Sequence, residues 1–245
     1  MAKLKLSIII PTKNEERDLP VLLASIQDQK FTDYEIIVAD AGSTDKTREI
    51  AKKFGCRVVG GGMPAIGRNM GAKEAQGEFL LFLDGDVILS RNFLSQVIYE
   101  MEAKEIDAAS CGVVPLSEKM IDFILHEVVN AYISVTQYFY PHAPGFCIII
   151  KKSLHDKIGG FNETLRLAED HDYVKRAKDK GKFKILKKAK IFVSVRRLEE
   201  DGRFNVSTKY VLCELHRMMV GEINTDIFKY KLGQHYDKVK EKVKK

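Results

Sequence analysis

Two aspartates one residue apart, Asp84 and Asp86, stand directly behind an unbroken apolar run, Phe79-Leu-Leu-Phe-Leu83. In extended chain, residues two apart point to the same side. Gly85 between them lets the backbone turn sharply and leaves space for a bulky ligand. Mg²⁺ and Mn²⁺ prefer oxygen donors, commonly one or two carboxylates completed by phosphate oxygens, and a cation there would neutralise charge building on a departing diphosphate. Asp-Gly-Asp is also a common solvated turn, so the buried strand before it is what favours a site. Thr12 and Asn14 follow the apolar run Leu6–Pro11, and Asp40 ends Tyr34–Asp40. A carboxylate at that point can accept a hydrogen bond from a base N–H; helix capping is its alternative role, one that Ser43 and Asp45 could fill. Arg68 and Asn69 sit early in a helical stretch, where anions are favoured, or Arg68 is an ordinary surface arginine. Glu169 and Asp170 are adjacent, and repulsion between them would raise the pKa of one, as suits a proton acceptor. On spacing alone, an acidic helix start explains them better.

These residues can act together only if the fold carries them to one place. Leu6–Pro11, Tyr34–Asp40, Cys56–Val59 and Phe79–Leu83 read as short buried strands. Between them, residues 14–29, 46–54 and 66–75 carry helical spacing or helix-start signals. Such alternation predicts an α/β fold whose parallel sheet has helices on both faces, and ligands of such sheets bind at the carboxyl ends of the strands. The second half is less regular. Strands are expected near 108–114, 146–150, 183–186 and 191–195, and helices near 117–139, 167–180 and 209–220. The helix at 117–139 carries a wide apolar stripe and then Tyr132, Tyr138, Phe139 and Tyr140. A buried core helix is the favoured reading, with a membrane-facing surface as the alternative.

Bulk properties set the frame. Of the 245 residues, 45% are apolar and 30% charged, ordinary for a globular protein. A net charge of +6 suits a phosphate-bearing partner: a nucleotide, a nucleic acid or an anionic membrane. Cys56, Cys111, Cys147 and Cys213 form no CxxC pair, which disfavours a zinc or disulfide framework. The lead Met1–Pro11 lacks the features of a signal peptide, and no apolar stretch reaches the ~18 residues of a membrane span. A reduced, cytoplasmic chain is expected. His142, His171 and His216 read singly as structural.

The motifs in sequence resemble glycosyltransferase family 2. The carriers are Ser7-Ile-Ile-Ile-Pro-Thr-Lys-Asn-Glu15, Ile37-Val-Ala-Asp-Ala-Gly-Ser-Thr-Asp45, Gly67-Arg-Asn-Met-Gly71, Phe82-Leu-Asp-Gly-Asp86, Ile158-Gly-Gly-Phe-Asn-Glu163, and Glu169-Asp170 with Arg176 and Gly181 behind. The resemblance implies a GT-A fold: a Rossmann-like, mostly parallel sheet flanked by helices, with a less regular acceptor-binding second half. One domain would span 1–220, with 1–90 binding nucleotide and 91–220 holding acceptor and catalytic groups, followed by a basic tail, 221–245. It also implies a metal-dependent inverting transferase acting on a UDP- or GDP-sugar. Pro11, Thr12, Asn14 and Glu15 would line the nucleoside, Asp40 would contact the base, and Arg68 would lie near the base or diphosphate. Asp84 would touch ribose or metal, Asp86 would bind Mn²⁺ or Mg²⁺, and Asp170 would be the general base. Arg196 and Arg197 fall where some members place a cation beside the diphosphate. The acceptor would be a glycan or lipid-linked, with peripheral contact at the inner face of an anionic membrane and no nucleic acid. The competing readings are a nucleotidyltransferase, disfavoured by Thr-Lys-Asn-Glu-Glu where a Gly-rich loop belongs, and a non-catalytic nucleotide-binding module, disfavoured by the presence of Asp86 and Asp170.

Overall fold

A computed structural model describes residues 4–143, 145–165, 167–219, 221 and 223. The first half alternates as expected: β1 (Leu6–Thr12), α1 (Leu19–Gln27), β2 (Tyr34–Asp40), α2 (Thr47–Lys53), β3 (Arg57–Gly60), α3 (Pro64–Glu74) and β4 (Phe79–Leu83). There follow β5 (Val87–Leu89), α4 (Phe93–Ala103), β6 (Ala108–Leu116), α5 (Met120–Thr136), β7 (Cys147–Lys151), α6 (Lys152–Lys157), α7 (Glu169–Lys180), β8 (Phe183–Ser194), α8 (Arg196–Glu200) and α9 (Arg203–Met219). The eight strands form one sheet in the order β3-β2-β1-β4-β7-β6-β8-β5. β3, β2, β1 and β4 run parallel, as do β6 and β8, whereas β7 is antiparallel to β4 and β6, and β5 to β8.

Alternation along the strands divides the core. Ile8 and Ile10 face α1 and α4, where Leu19, Leu22, Leu23, Ile26, Phe93, Leu94 and Val97 bury one apolar layer. Ile9 points to the opposite face and joins Ala65 and Ala72 of α3 with Tyr173 and Val174 of α7. Helix α3 lies close on β1 because residue 71 is glycine: a Cβ there would come within 2.4 Å of Ile9 Cγ2. Under α7, Phe82 meets Phe161 edge-on at 5.0 Å and Tyr173 at 6.0 Å. Phe161 stacks flat on Tyr173 at 3.7 Å, and the Tyr173 hydroxyl lies 2.6 Å from His155 Nδ1.

The direction of each strand decides what lies near the site. β1, β2 and β4 end on one edge. β7 begins on that edge, since Cys147 pairs with Leu83, so the chain leading into β7 passes over it. β6 and β8 end there too, which brings residues 195–197 alongside.

Three expectations need amending. The expected strands and helices skip residues 87–103, yet Phe93, Leu94, Val97, Ile98 and Met101 repeat at helical spacing and are buried in α4. The strands expected at 183–186 and 191–195 are one strand, β8. Leu186 pairs with Cys111 and Lys190 with Gly112, so the residues between form a bulge. Helix α5 is not a core helix: only Asp122 and Ile133 are buried, while Met120, Ile124, Val128 and Val135 are each more than half exposed. Its polar residues do the attaching. Asn130 exchanges two hydrogen bonds with the Val113 backbone, both 2.9 Å, and Asp122 accepts from Arg203 at 2.6 and 2.7 Å. Among the described residues no helix is long and apolar enough to cross a membrane. The lysines of the basic tail lie outside the described residues.

Phe82→Ala should cost about 3–5 kcal/mol, the usual range for a buried phenyl ring. It should appear as a lower urea midpoint at unchanged slope. A loss below ~1 kcal/mol would mean that the Phe161–Tyr173 stack holds α7 without Phe82.

Candidate active site

The strand ends set out a row of polar side chains. Asp40, at the end of β2, is 6% exposed. Its Oδ2 accepts from the backbone N–H of Gly42 and Ser43 at 3.1 and 3.0 Å, while Oδ1 is buried without a partner. One oxygen therefore builds the turn and the other is left to accept. Beside it, Thr12 closes β1 with a buried, unpartnered hydroxyl. Pro11 packs against α3, 3.2 Å from where a Gly67 Cβ would be. Asn14 adopts φ 58°, a region asparagine tolerates. Its N–H donates to Ser43 Oγ and its Oδ1 accepts from Thr44 N, both at 2.9 Å, which ties the loop after β1 to the turn after β2.

At the end of β4, Asp84 accepts from Arg68 Nη2 at 2.9 Å. Arg68 is 3% exposed, not a surface arginine. Its Nη1 donates to Glu169 at 2.7 Å and its Nη2 also to the Gly145 carbonyl at 3.2 Å. Burial works against its charge, but Asp84, Glu169 and Asp170 outweigh that and raise its pKa further. A Cβ on residue 145 would lie 2.9 Å from Asp170 Oδ2 and 3.0 Å from Arg68 Nη2. Asp170 therefore stands beside the Arg68–Asp84 pair, and only glycine leaves both room. Burial raises the pKa of Glu169 and Asp170 adds to that, against Arg68.

Three more carboxylates gather beside Asp84: Glu15, Asp18 and Asp86. Glu15, whose N–H donates to Thr47 at 2.8 Å, packs its side chain against Gly85, where a Cβ would come within 3.2 Å of Glu15 Cγ. Its Oε2 is buried without a partner. Burial, then Asp86, Asp18 and Asp84, push Glu15 up to about 8, with Arg196 opposing. Burial and Asp84 likewise raise Asp86. Arg196 is in close contact with Asp18 and reaches Asp86 at 3.8 Å; Arg197 donates to Tyr210 at 3.3 Å. Carboxylates this crowded with an orphaned buried oxygen are an oxygen-only donor set short of positive charge, which fits a hard divalent cation. Sequence reading missed Asp18, one turn beyond Glu15. It also missed the grouping of His142, His171 and Glu214 behind Asp170, which come from three distant segments.

The family profile described as "Glycosyl transferase family 2" matches residues 7–159, more than half of the chain. The chain belongs to glycosyl transferase family 2. Within this family, Staphylococcus aureus poly(ribitol-phosphate) beta-N-acetylglucosaminyltransferase TarS is 36% identical over 101 residues, 37% of this chain and 18% of its own. An uncharacterized glycosyltransferase of Haemophilus influenzae is 28% identical over 180 residues, 69% of this chain and 60% of its own. The chain thus spans less than two thirds of either relative. The fold is that of GT-A glycosyltransferases. The S. aureus TarS 1–349 structure with UDP-GlcNAc superposes with a TM-score of 0.68 at 20% identity, covering 94% of this chain and 77% of that one. Mannosyltransferase PcManGT from Pyrobaculum calidifontis, in complex with GDP-Man and Mn²⁺, gives 0.65 at 19% identity, covering 87% and 62%.

The raised Glu15 makes a linkage prediction. A carboxyl whose pKa is higher folded than unfolded favours folding most below the unfolded value, and that advantage is lost as pH rises to the folded value. In chelator, Glu15→Gln should therefore leave stability unchanged near pH 4 and raise it progressively to about pH 8, by up to a few kcal/mol. Denaturant titrations at several pH values check this; a difference independent of pH would show that Glu15 is ionised as readily folded as unfolded.

Proposed function

We propose that this family 2 glycosyltransferase moves a sugar from a nucleoside-diphosphate sugar to an acceptor hydroxyl with inversion at the anomeric carbon. The observation that carries the reading is the position of Asp170 Oδ2, which shares the space over Gly145 with Arg68 Nη2. A proton acceptor thus stands at the strand ends beside Asp84, two strands from Asp40. Strands are about 4.8 Å apart, so Asp40 and Asp84 are separated by roughly 10 Å, a span suited to a nucleoside with its first phosphate.

In this reading, Asp40 Oδ1 accepts from the base, and Pro11, Thr12, Asn14 and Glu15 line base and ribose. Asp86 and Asp84 would hold Mn²⁺ or Mg²⁺, which when bound supplies charge neutralisation to the diphosphate. Arg196 and Arg197 place further positive charge beside the leaving group. Arg68 works from behind: its guanidinium, fixed by three acceptors, orients Asp84 and Glu169. Asp170 takes the proton of the acceptor hydroxyl as its oxygen bonds to the anomeric carbon. The bond from that carbon to the diphosphate oxygen breaks on the opposite face, and the electron pair leaves with the nucleoside diphosphate. TarS and PcManGT have been crystallised with a uridine and a guanosine donor respectively, so both bases are candidates.

Calorimetric titration of UDP and GDP, with and without Mn²⁺, tests the assignment. Asp86→Ala should lose the metal-dependent part of donor binding. Asp170→Asn should keep binding and lose transfer by about 10²–10⁴-fold, read as nucleoside diphosphate release with membrane extract as acceptor. Equal affinity in wild type and Asp86→Ala would contradict the metal role, and full turnover in Asp170→Asn would contradict the base.

The outward stripe of α5 fits an acceptor at a membrane surface. Beyond its exposed aliphatic residues lie exposed Tyr138 and Phe139. Lys184 sits 5.0 Å over the Tyr138 ring, Lys175 5.5 Å over Tyr140, and Lys178 donates to the Tyr138 carbonyl. Aromatics bordered by lysines suit an anionic bilayer interface, and a lipid-linked acceptor would be met there. The protein should sediment with anionic vesicles at low salt, and less so at high salt or as Val128→Asp/Val135→Asp. Protein left wholly in the supernatant at low salt would remove the idea.

A further inference from the structure

A charged cluster stands behind Asp170, and the transfer chemistry above leaves it unused. It draws on the loop before β7 (His142), the first turn of α7 (His171) and helix α9 (Glu214 and Arg217). Glu214 lies between the imidazoles, Oε2 2.7 Å from His142 Nε2 and Oε1 3.2 Å from His171 Nδ1. The rings meet edge-on with centroids 4.8 Å apart. His142 is held on its other nitrogen, 2.8 Å from the Tyr140 carbonyl, and the Arg217 side chain is fully buried.

Two groups hold the His171 ring by Nδ1. Arg217 Nη1 is 2.8 Å away and, since a guanidinium only donates, meets the Nδ1 lone pair of the neutral ring; Glu214 Oε1, 3.2 Å away, receives the Nδ1 proton when the ring is charged. Held this way, the ring keeps its Nε2 edge 3.8 Å from Asp170 Oδ1, an ion-pair distance longer than a hydrogen bond. The same Oδ1 accepts the His171 backbone N–H at 2.9 Å. The other oxygen, Oδ2, is the one facing Gly145 and Arg68.

We propose that His171 is a positioning residue for the candidate base: steadied by Arg217 and Glu214, its ring stands beside Asp170 Oδ1, which its own backbone N–H already holds, and so aims Oδ2 at the acceptor hydroxyl. The inference rests on reading Asp170 as the base. Asp170 and Glu214 favour the imidazolium of His171 against burial and Arg217, and the two histidines hold Glu214 well below the usual carboxylate range despite its burial. The same three side chains have ligand atoms within 4.8 Å of one another, a spacing that could admit a metal ion. Arg217 Nη1 already touches two of the three groups, so a fixed positive charge stands where the ion would be.

The test uses the full chain, a sugar-nucleotide donor and membrane extract as acceptor. His171→Leu should lower kcat roughly 10- to 100-fold at unchanged donor KM. It should also move the acid limb of the kcat profile to higher pH, because a carboxylate that loses a neighbouring imidazolium holds its proton more tightly. His171→Gln, which can still offer an N–H, should recover most of the rate. Glu214→Gln, which keeps the packing, should show a weaker version of both effects and remains informative if His171→Leu does not fold. If Asp170→Asn is inactive while all three variants keep the wild-type kcat and acid limb, the positioning role is wrong and the base stands. If Asp170→Asn is fully active, the base reading itself falls. Sub-micromolar Zn²⁺ binding that vanishes in His142→Ala would make the cluster a metal centre and overturn the proposal.

Discussion

The Arg68 guanidinium is the constraint on which the site depends. It is buried, permanently charged, and shared between Asp84 at the end of β4, Glu169 at the start of α7 and the Gly145 carbonyl ahead of β7. No other described side chain joins these three segments. A buried charge is costly unless good acceptors meet it; Nη1 and Nη2 find them, while Nε is buried without a partner, so the register of sheet, loop and helix around the two terminal nitrogens is what compensates the charge. Asp170 follows Glu169 directly, and fixing Glu169 fixes where the next side chain can go. The glycine at 71, which draws α3 onto β1, is what lets a helix residue reach the strand ends.

A second feature runs against stability. Burial disfavours charge on Glu15 and Asp86, yet Asp18 and Asp84 stand close enough to add to that, and Arg196, in contact with Asp18 and 3.8 Å from Asp86, opposes it. A fold selected for stability alone would spread these carboxylates apart. Their crowding makes sense as preorganisation for a ligand bringing positive charge and phosphate together, since groups held in place beforehand need no reorganisation when charge develops.

The first half of the fold was legible because three of its four strands, β1, β2 and β4, are apolar runs that stop at a residue able to do chemistry: Thr12, Asp40, Asp84. Parallel order then sends all three to one edge. What local pattern could not supply was direction and partnership. Nothing in the sequence of β7 says that it runs antiparallel to β4, yet that is why Gly145 lies over the site. The apolar stripe of α5 predicted a core helix because a stripe normally faces inward. Here Asp122 and Asn130, on the opposite side, find Arg203 and the Val113 backbone, and their hydrogen bonds turn the apolar side out. For Arg68 a surface position stayed open beside an anion-binding one, because its acceptors lie 16, 77 and 101 positions away.

The same inversion links the two ends of the site. Asp122 anchors α5 to Arg203, the first residue of α9, and α9 carries Glu214 and Arg217 to the back of Asp170. The helix with the outward apolar face and the helix whose Glu214 and Arg217 hold His171 are therefore linked. They are joined at the start by a bidentate ion pair and, further along, through the Tyr132–His142 contact at 3.3 Å. A displacement of α5, such as docking against a surface would impose, would be felt at His142 and through Glu214 at His171. Coupling of this kind requires linked groups with two discrete arrangements that both ends bias, and His142, 2% exposed, sits at the midpoint of that chain.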